Sequence, residues 1–132
     1  MIYKLSDFDI DLTKGQAGEA SVAKLLTIET VEVKTDLKWW RTGNIYIETE
    51  CWFNASNSWK ASGLMTTKAT HWALNLEGTV ILIETKLLYG AVKMYGTPIE
   101  CKIEPNPSKG YLIRPSKIMQ FVKDYHEYSK QA

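Results

Sequence analysis

Residues 44–52, NIYIETECW, constrain the fold more tightly than any other stretch of the chain. Apolar and polar side chains alternate there with period two, the signature of a strand that buries one face. Ile45, Ile47 and Thr49 fall on one side, and Glu48 and Glu50 project together on the other. TVEVKTD (30–36) is β-branched and alternates in the same way, with Val31 and Val33 opposite Glu32, Lys34 and Asp36. LKWWRTG joins the two and ends at Gly43-Asn44, which suits a turn. Two strands this close in sequence are expected to form an antiparallel hairpin. Centred on Thr42, that hairpin sets Asp36 across from Glu48 and Lys34 across from Glu50, with Cβ atoms about 4.5–5.5 Å apart. A slip of one residue would abolish the arrangement.

The remaining segments place this hairpin in an α/β chain. Residues 14–27, KGQAGEASVAKLLT, predict a helix with Ala17, Ala20, Val22, Ala23, Leu25 and Leu26 on one broad apolar face and Glu19 beside it. After the polar FNASNSWKASG, residues 66–76 (TTKATHWALNL) predict a helix capped by Thr66 or Thr67. GTVILIET (78–85) is an unbroken apolar run, expected as a buried strand, and KLLYGAVKMYG (86–96) predicts a helix interrupted by Gly90. Residues 97–114, with Pro98, Pro105, Pro107 and Gly110, read as a loop or edge hairpin ending in the strand GYLIR. Pro115 opens a last helix whose Ile118, Phe121, Val122 and Tyr125 recur at helical spacing. The order predicts a mixed β-sheet flanked by helices, in one domain over 1–132, and excludes the regular alternation of a doubly wound fold.

Carboxylates of Asp36, Glu48 and Glu50 converging on one strand pair would repel one another and raise a pKa, unless a cation joins them. Mg²⁺ takes oxygen ligands from one or two carboxylates and keeps several waters. Mn²⁺ suits the same donors. The same pattern also suits a solvated hairpin face, with Lys34 and Glu50 a plain cross-strand ion pair.

Composition narrows the field. Cys51 and Cys101 lack CxxC spacing and have only two histidines for company, which excludes an obvious zinc site or disulfide framework. No apolar run approaches the ~20 residues of a membrane span. The N-terminal MIYKLSDFDIDL carries acids where a signal peptide needs a basic and then an apolar region, so the expected compartment is the cytoplasm. The formal net charge of +1 requires any basic face to be balanced by acids elsewhere.

The order helical Glu19, Asp36 on a first strand and Glu48-Thr49-Glu50 on a second resembles the PD-(D/E)xK nucleases, in a Holliday-junction-resolvase or Vsr-like arrangement. RTGNIYIETECW, followed by SGLMTTKATHWALNL and VILIETKLL, is similar to a group of small phage-encoded proteins related to that superfamily. The resemblance covers about residues 15–95, with an echo at GYLIRPSKI. It implies a restriction-endonuclease-like core and a Mg²⁺- or Mn²⁺-dependent endodeoxyribonuclease acting on branched or site-specific duplex DNA, in phage DNA processing or homing. Asp36 and Glu48 would be metal ligands, and Glu19 a further, often water-mediated one. Glu50 stands where the family usually has Lys. It would complete the metal shell or receive the proton of the attacking water, and Lys34, Lys60 or Lys68 would supply the ammonium.

A DNA face is expected from Trp39, Trp40 and Arg41 at the hairpin tip, with Lys60, Thr66, Thr67 and Lys68 before the helix expected over 66–76. The alternative for the tip is that one Trp folds back onto the core or onto a second subunit. Cutting both strands with one small site implies a homodimer. The rival expectation is a non-catalytic nuclease-fold module that binds DNA or protein.

Overall fold

The computed structural model describes residues 12–26 and 30–131. The N-terminal stretch read above up to residue 11, and the last residue of the first expected helix, lie outside them. The chain is a mixed α/β structure with two sheets. In the first, β1 (Val31–Thr35) runs parallel to β4 (His71–Asn75), which pairs antiparallel with β5 (Val80–Glu84). The second is antiparallel, in the order β3 (Ser58–Ala61), β2 (Ile45–Phe53), β7 (Ser108–Ile113), β6 (Thr97–Cys101). Helix α1 spans Leu12–Leu26, α2 is a single turn at Trp39–Thr42, α3 covers Thr85–Tyr95 and α4 covers Pro115–Gln131.

This arrangement corrects the expected hairpin. β1 pairs with β4 in the first sheet, while β2 lies in the second between β3 and β7. The connection from Asp36 to Asn44 is too long for a two-residue turn, and it spends its length on the α2 turn, closed by Gly43 at φ +79°. Asp36 therefore does not stand across a ladder from Glu48, nor Lys34 from Glu50.

The helix expected over 66–76 is also corrected. A three-residue 3-10 turn, Gly63–Met65, leads through extended chain into β4. Trp72, Leu74 and Leu76 alternate inward and are buried. β5 is an edge strand, not a central one, and Val80 is 60% exposed.

One core joins both sheets. Ile45, Ile47 and Ile113 of the antiparallel sheet meet Trp72, Leu74 and Ile83 of the other through Leu88, Ala91 and Val92 of α3. Each fully buried aliphatic side chain contributes about 1.5–3 kcal/mol. Gly90 lies inside α3 because α4 crosses there: a Cβ at that position would meet the Phe121 ring at 2.3 Å. No helix among the described residues is long and apolar enough to cross a membrane.

Candidate acidic site around Tyr46

Asp36 leaves β1 as its last backbone link to the first sheet, its N–H donating to the Asn75 carbonyl at 3.0 Å. Its side chain then reaches the other sheet. Oδ2 accepts the N–H of Tyr46 at 3.1 Å, and Oδ1 accepts the N–H of Lys38 at 3.1 Å. Asp36 thus caps the open edge of β2, where β3 has not yet begun to pair.

Lys34 comes to the same place from β1. Its Nζ stands 5.7 Å from the centre of the Tyr46 ring, close enough for attraction to the ring face. The Tyr46 hydroxyl is 2.7 Å from Ser108 Oγ on β7. Burial pushes the Tyr46 phenol up from its ordinary pKa, the Ser108 hydrogen bond offsets part of this, and the negative charge of Glu48 adds to the rise.

Glu48 is held by a different set of contacts. Ser62 Oγ donates to Glu48 Oε2 at 2.8 Å, and the Ser62 N–H donates to the Thr49 carbonyl at 2.9 Å. Two glycines let the chain close around this residue. A Cβ on Gly63, which has φ +52°, would meet the Glu48 carbonyl oxygen at 2.3 Å. A Cβ on Gly110, directly paired with Glu48, would lie 2.2 Å from the Ile47 carbonyl oxygen.

Glu50 does not join them. Glu48 pairs with Gly110 and Glu50 with Lys109, and the ladder shifts register between them. Thr49 is the extra residue of a β-bulge, so the strict alternation breaks there. Neighbouring residues of β7 face opposite sides, and the partners of Glu48 and Glu50 therefore do too. Glu50 lines an open cleft with Lys93, Glu100 and Lys109 instead. The expectation that Glu48 and Glu50 share a face is corrected accordingly, and Glu19 of the expected shell lies on α1. Among the described residues, no three of His, Cys, Asp and Glu are gathered where one metal ion could touch them. What the fold brings to the first half of β2, which carries Glu48 itself, is Asp36 and Lys34.

The expected DNA contacts are scattered. Trp39 folds back, its indole N–H donating to the Leu76 carbonyl at 3.0 Å, while Trp40 is 65% exposed beneath the Arg41 guanidinium. Lys60, on β3, lies over the Phe53 ring of β2. Thr66, Thr67 and Lys68 occupy the turn and extended chain after the 3-10 turn, so no helix N-terminus stands behind them to bind phosphate. Thr67 Oγ1 accepts the Ala69 N–H, and Lys68 is exposed. His71 belongs to β4, with Nδ1 2.9 Å from Thr70 Oγ1.

Tyr46, Ser62 and Ser108 were not singled out by sequence reasoning. The available signals were the aromatic amid aliphatics in NIYI and the Ser-Gly pair before LMTT. No protein-family model, curated protein or solved structure matches the chain.

Proposed function

We propose that this chain is a metal-dependent DNA endonuclease with a reduced acidic centre, Asp36 and Glu48, and with Lys34 in place of the motif lysine. The observation that carries this reading is the gathering around Tyr46: a carboxylate on its N–H and an ammonium over its ring, with Glu48 two residues along the same strand. The resemblance of RTGNIYIETECW and SGLMTTKATHW to nuclease-related phage proteins supports the same assignment.

The donor chemistry suits Mg²⁺ or Mn²⁺. A carboxylate offers about four lone-pair sites. Asp36 gives two to backbone N–H groups and Glu48 one to Ser62, so both keep capacity for a cation. When bound, such an ion polarises a phosphodiester oxygen and lowers the pKa of a water. The protein's part is positional. The Tyr46 and Lys38 amides fix Asp36, Ser62 fixes Glu48, and Lys34 would supply positive charge where negative charge develops on the phosphate oxygens. Branched or site-specific duplex DNA is the substrate class, and phage DNA processing or homing the setting.

A second reading has its own observation. Asp36 is already engaged by two backbone amides, and Glu50 has left the site, which suits a non-catalytic module that binds DNA or protein. Incubating the protein with supercoiled, linear and junction DNA, with Mg²⁺ or Mn²⁺, separates the two. The nuclease reading expects metal-dependent cleavage, lost on chelation. It also expects Lys34→Met to lower the rate about 10²–10³-fold, the scale for one electrostatic partner of a transition state. Shifted but uncut DNA under every metal condition would favour the binding module.

A further inference from the structure

We infer that the outer edge of β1 is the contact through which two copies of this chain associate, as an antiparallel β1–β1 ladder with its two-fold axis at Val33. The inference does not depend on the proposed chemistry, although Lys34 takes part in both, and its test reads association and not cleavage.

β1 is an edge strand, and among the described residues no strand lies along its outer side. The orientation of its free groups follows from two hydrogen bonds. The His71 N–H donates to Thr30 O and the Asp36 N–H to Asn75 O, so the even-numbered residues turn their backbone toward β4. By alternation, the N–H and C=O groups of Val31, Val33 and Thr35 point outward. An antiparallel partner centred on Val33 uses all of them. Val33 would exchange two hydrogen bonds with Val33 of the second copy, and Val31 two with Thr35 of the second copy.

The side chains are self-complementary in that register. Glu32 falls opposite Lys34 of the second copy, and Lys34 opposite its Glu32. These are non-hydrogen-bonded pairs, where side chains approach most closely. A lone Lys at the axis would meet its own charge and block the edge, the usual protection of such strands. Here the opposite charges stand symmetrically about an apolar centre, and attract. Val33, 65% exposed, and Val31 would meet apolar or β-branched neighbours across the ladder. No proline or bulge interrupts the strand. A formal net charge of +1 leaves little long-range repulsion between copies. The resulting contact is isologous, the same patch on both copies, as a two-fold dimer requires.

Sedimentation across a concentration series tests this on the full chain. The wild type should pass from the mass of one subunit to that of two. Glu32→Lys turns both symmetric pairs repulsive and should weaken association about tenfold or more. The exchange Glu32→Lys with Lys34→Glu should restore it. Val33→Pro, which removes an outward N–H at the axis, should give a folded monomer by circular dichroism. A wild type that stays monomeric throughout would overturn the inference. So would dimers untouched by Glu32→Lys, or a folded charge exchange that fails to recover them.

Discussion

Glu48 and Glu50 stand two residues apart on one strand and face opposite sides of its sheet, because Thr49 is the extra residue of a bulge. Glu48 is held by Ser62, and Glu50 lines a cleft with Lys93 and Lys109. Glu50→Gln is therefore expected to leave Mn²⁺ affinity unchanged. If Asp36 and Glu48 are the two ligands of the proposed centre, Glu48→Gln should lower it tenfold or more, on a scale of roughly 1.4 kcal/mol. Calorimetric titration with Mn²⁺ checks this, and equal losses in the two variants would place both carboxylates on one ion.

The backbone of Glu48 is enclosed by Gly63 and Gly110. Gly63→Ala forces a side chain into a left-handed conformation and against the Glu48 carbonyl, at a cost of about 1–3 kcal/mol. Gly110→Ala overpacks the ladder and is expected to cost about as much. Denaturant unfolding should show both losses. Gly78→Ala, at φ +80° with open space around it, is strained without a clash and should cost less than Gly63→Ala.

Tyr46 has its pKa raised in the fold, chiefly by burial and further by Glu48. The folded state then holds the phenolic proton more tightly than the unfolded chain. Its contribution is fully present below the unfolded pKa, about 10, and is lost as pH rises through the folded value. In chelated protein, Tyr46→Phe should lose about 1 kcal/mol at neutral pH through the Ser108 hydrogen bond. Its stability should then fall less steeply than the wild type's above pH ~10. Identical alkaline slopes in pH-dependent unfolding would remove Tyr46 as the source.

Trp39 and Trp40 are neighbours with opposite fates. Trp39→Phe loses the hydrogen bond to the Leu76 carbonyl and should cost about 1 kcal/mol. Trp40→Ala, on an exposed ring, should stay within ~0.5 kcal/mol of wild type. If the tip stacks on DNA bases, Trp40→Ala should weaken DNA binding about tenfold, within the range for one aromatic stacking contact. Fluorescence anisotropy with unchanged affinity would make Trp40 a bystander.

Much of the fold was legible where one period dominated. β2 and its buried Ile45 and Ile47 follow from strict alternation, α4 from its helical spacing, and the β6–β7 hairpin from the proline-rich stretch around GYLIR. Residues 66–76 satisfied two templates at once. Ala69, Trp72, Ala73 and Leu76 recur at helical spacing, while Trp72, Leu74 and Leu76 alternate. Pairing with β1 and β5 decides for the strand, and pairing is a property of distant segments. The same holds for the site. Lys34 and Asp36 do meet β2, at Tyr46, but the hairpin from which their approach was expected does not form. Glu50 was turned away by a bulge that forms against Gly110 and Lys109, some sixty residues further along the chain.

Nicking of supercoiled DNA with Mg²⁺ or Mn²⁺, compared across wild type, Asp36→Asn, Glu48→Gln and Glu50→Gln, tests the central claim most directly. A two-carboxylate centre predicts metal-dependent nicking by wild type and by Glu50→Gln at similar rates. It predicts a loss of about 10²-fold or more in Asp36→Asn and in Glu48→Gln, with both variants still folded. Nicking that survives intact in either of those variants, or a wild type that never nicks with either metal, would contradict it.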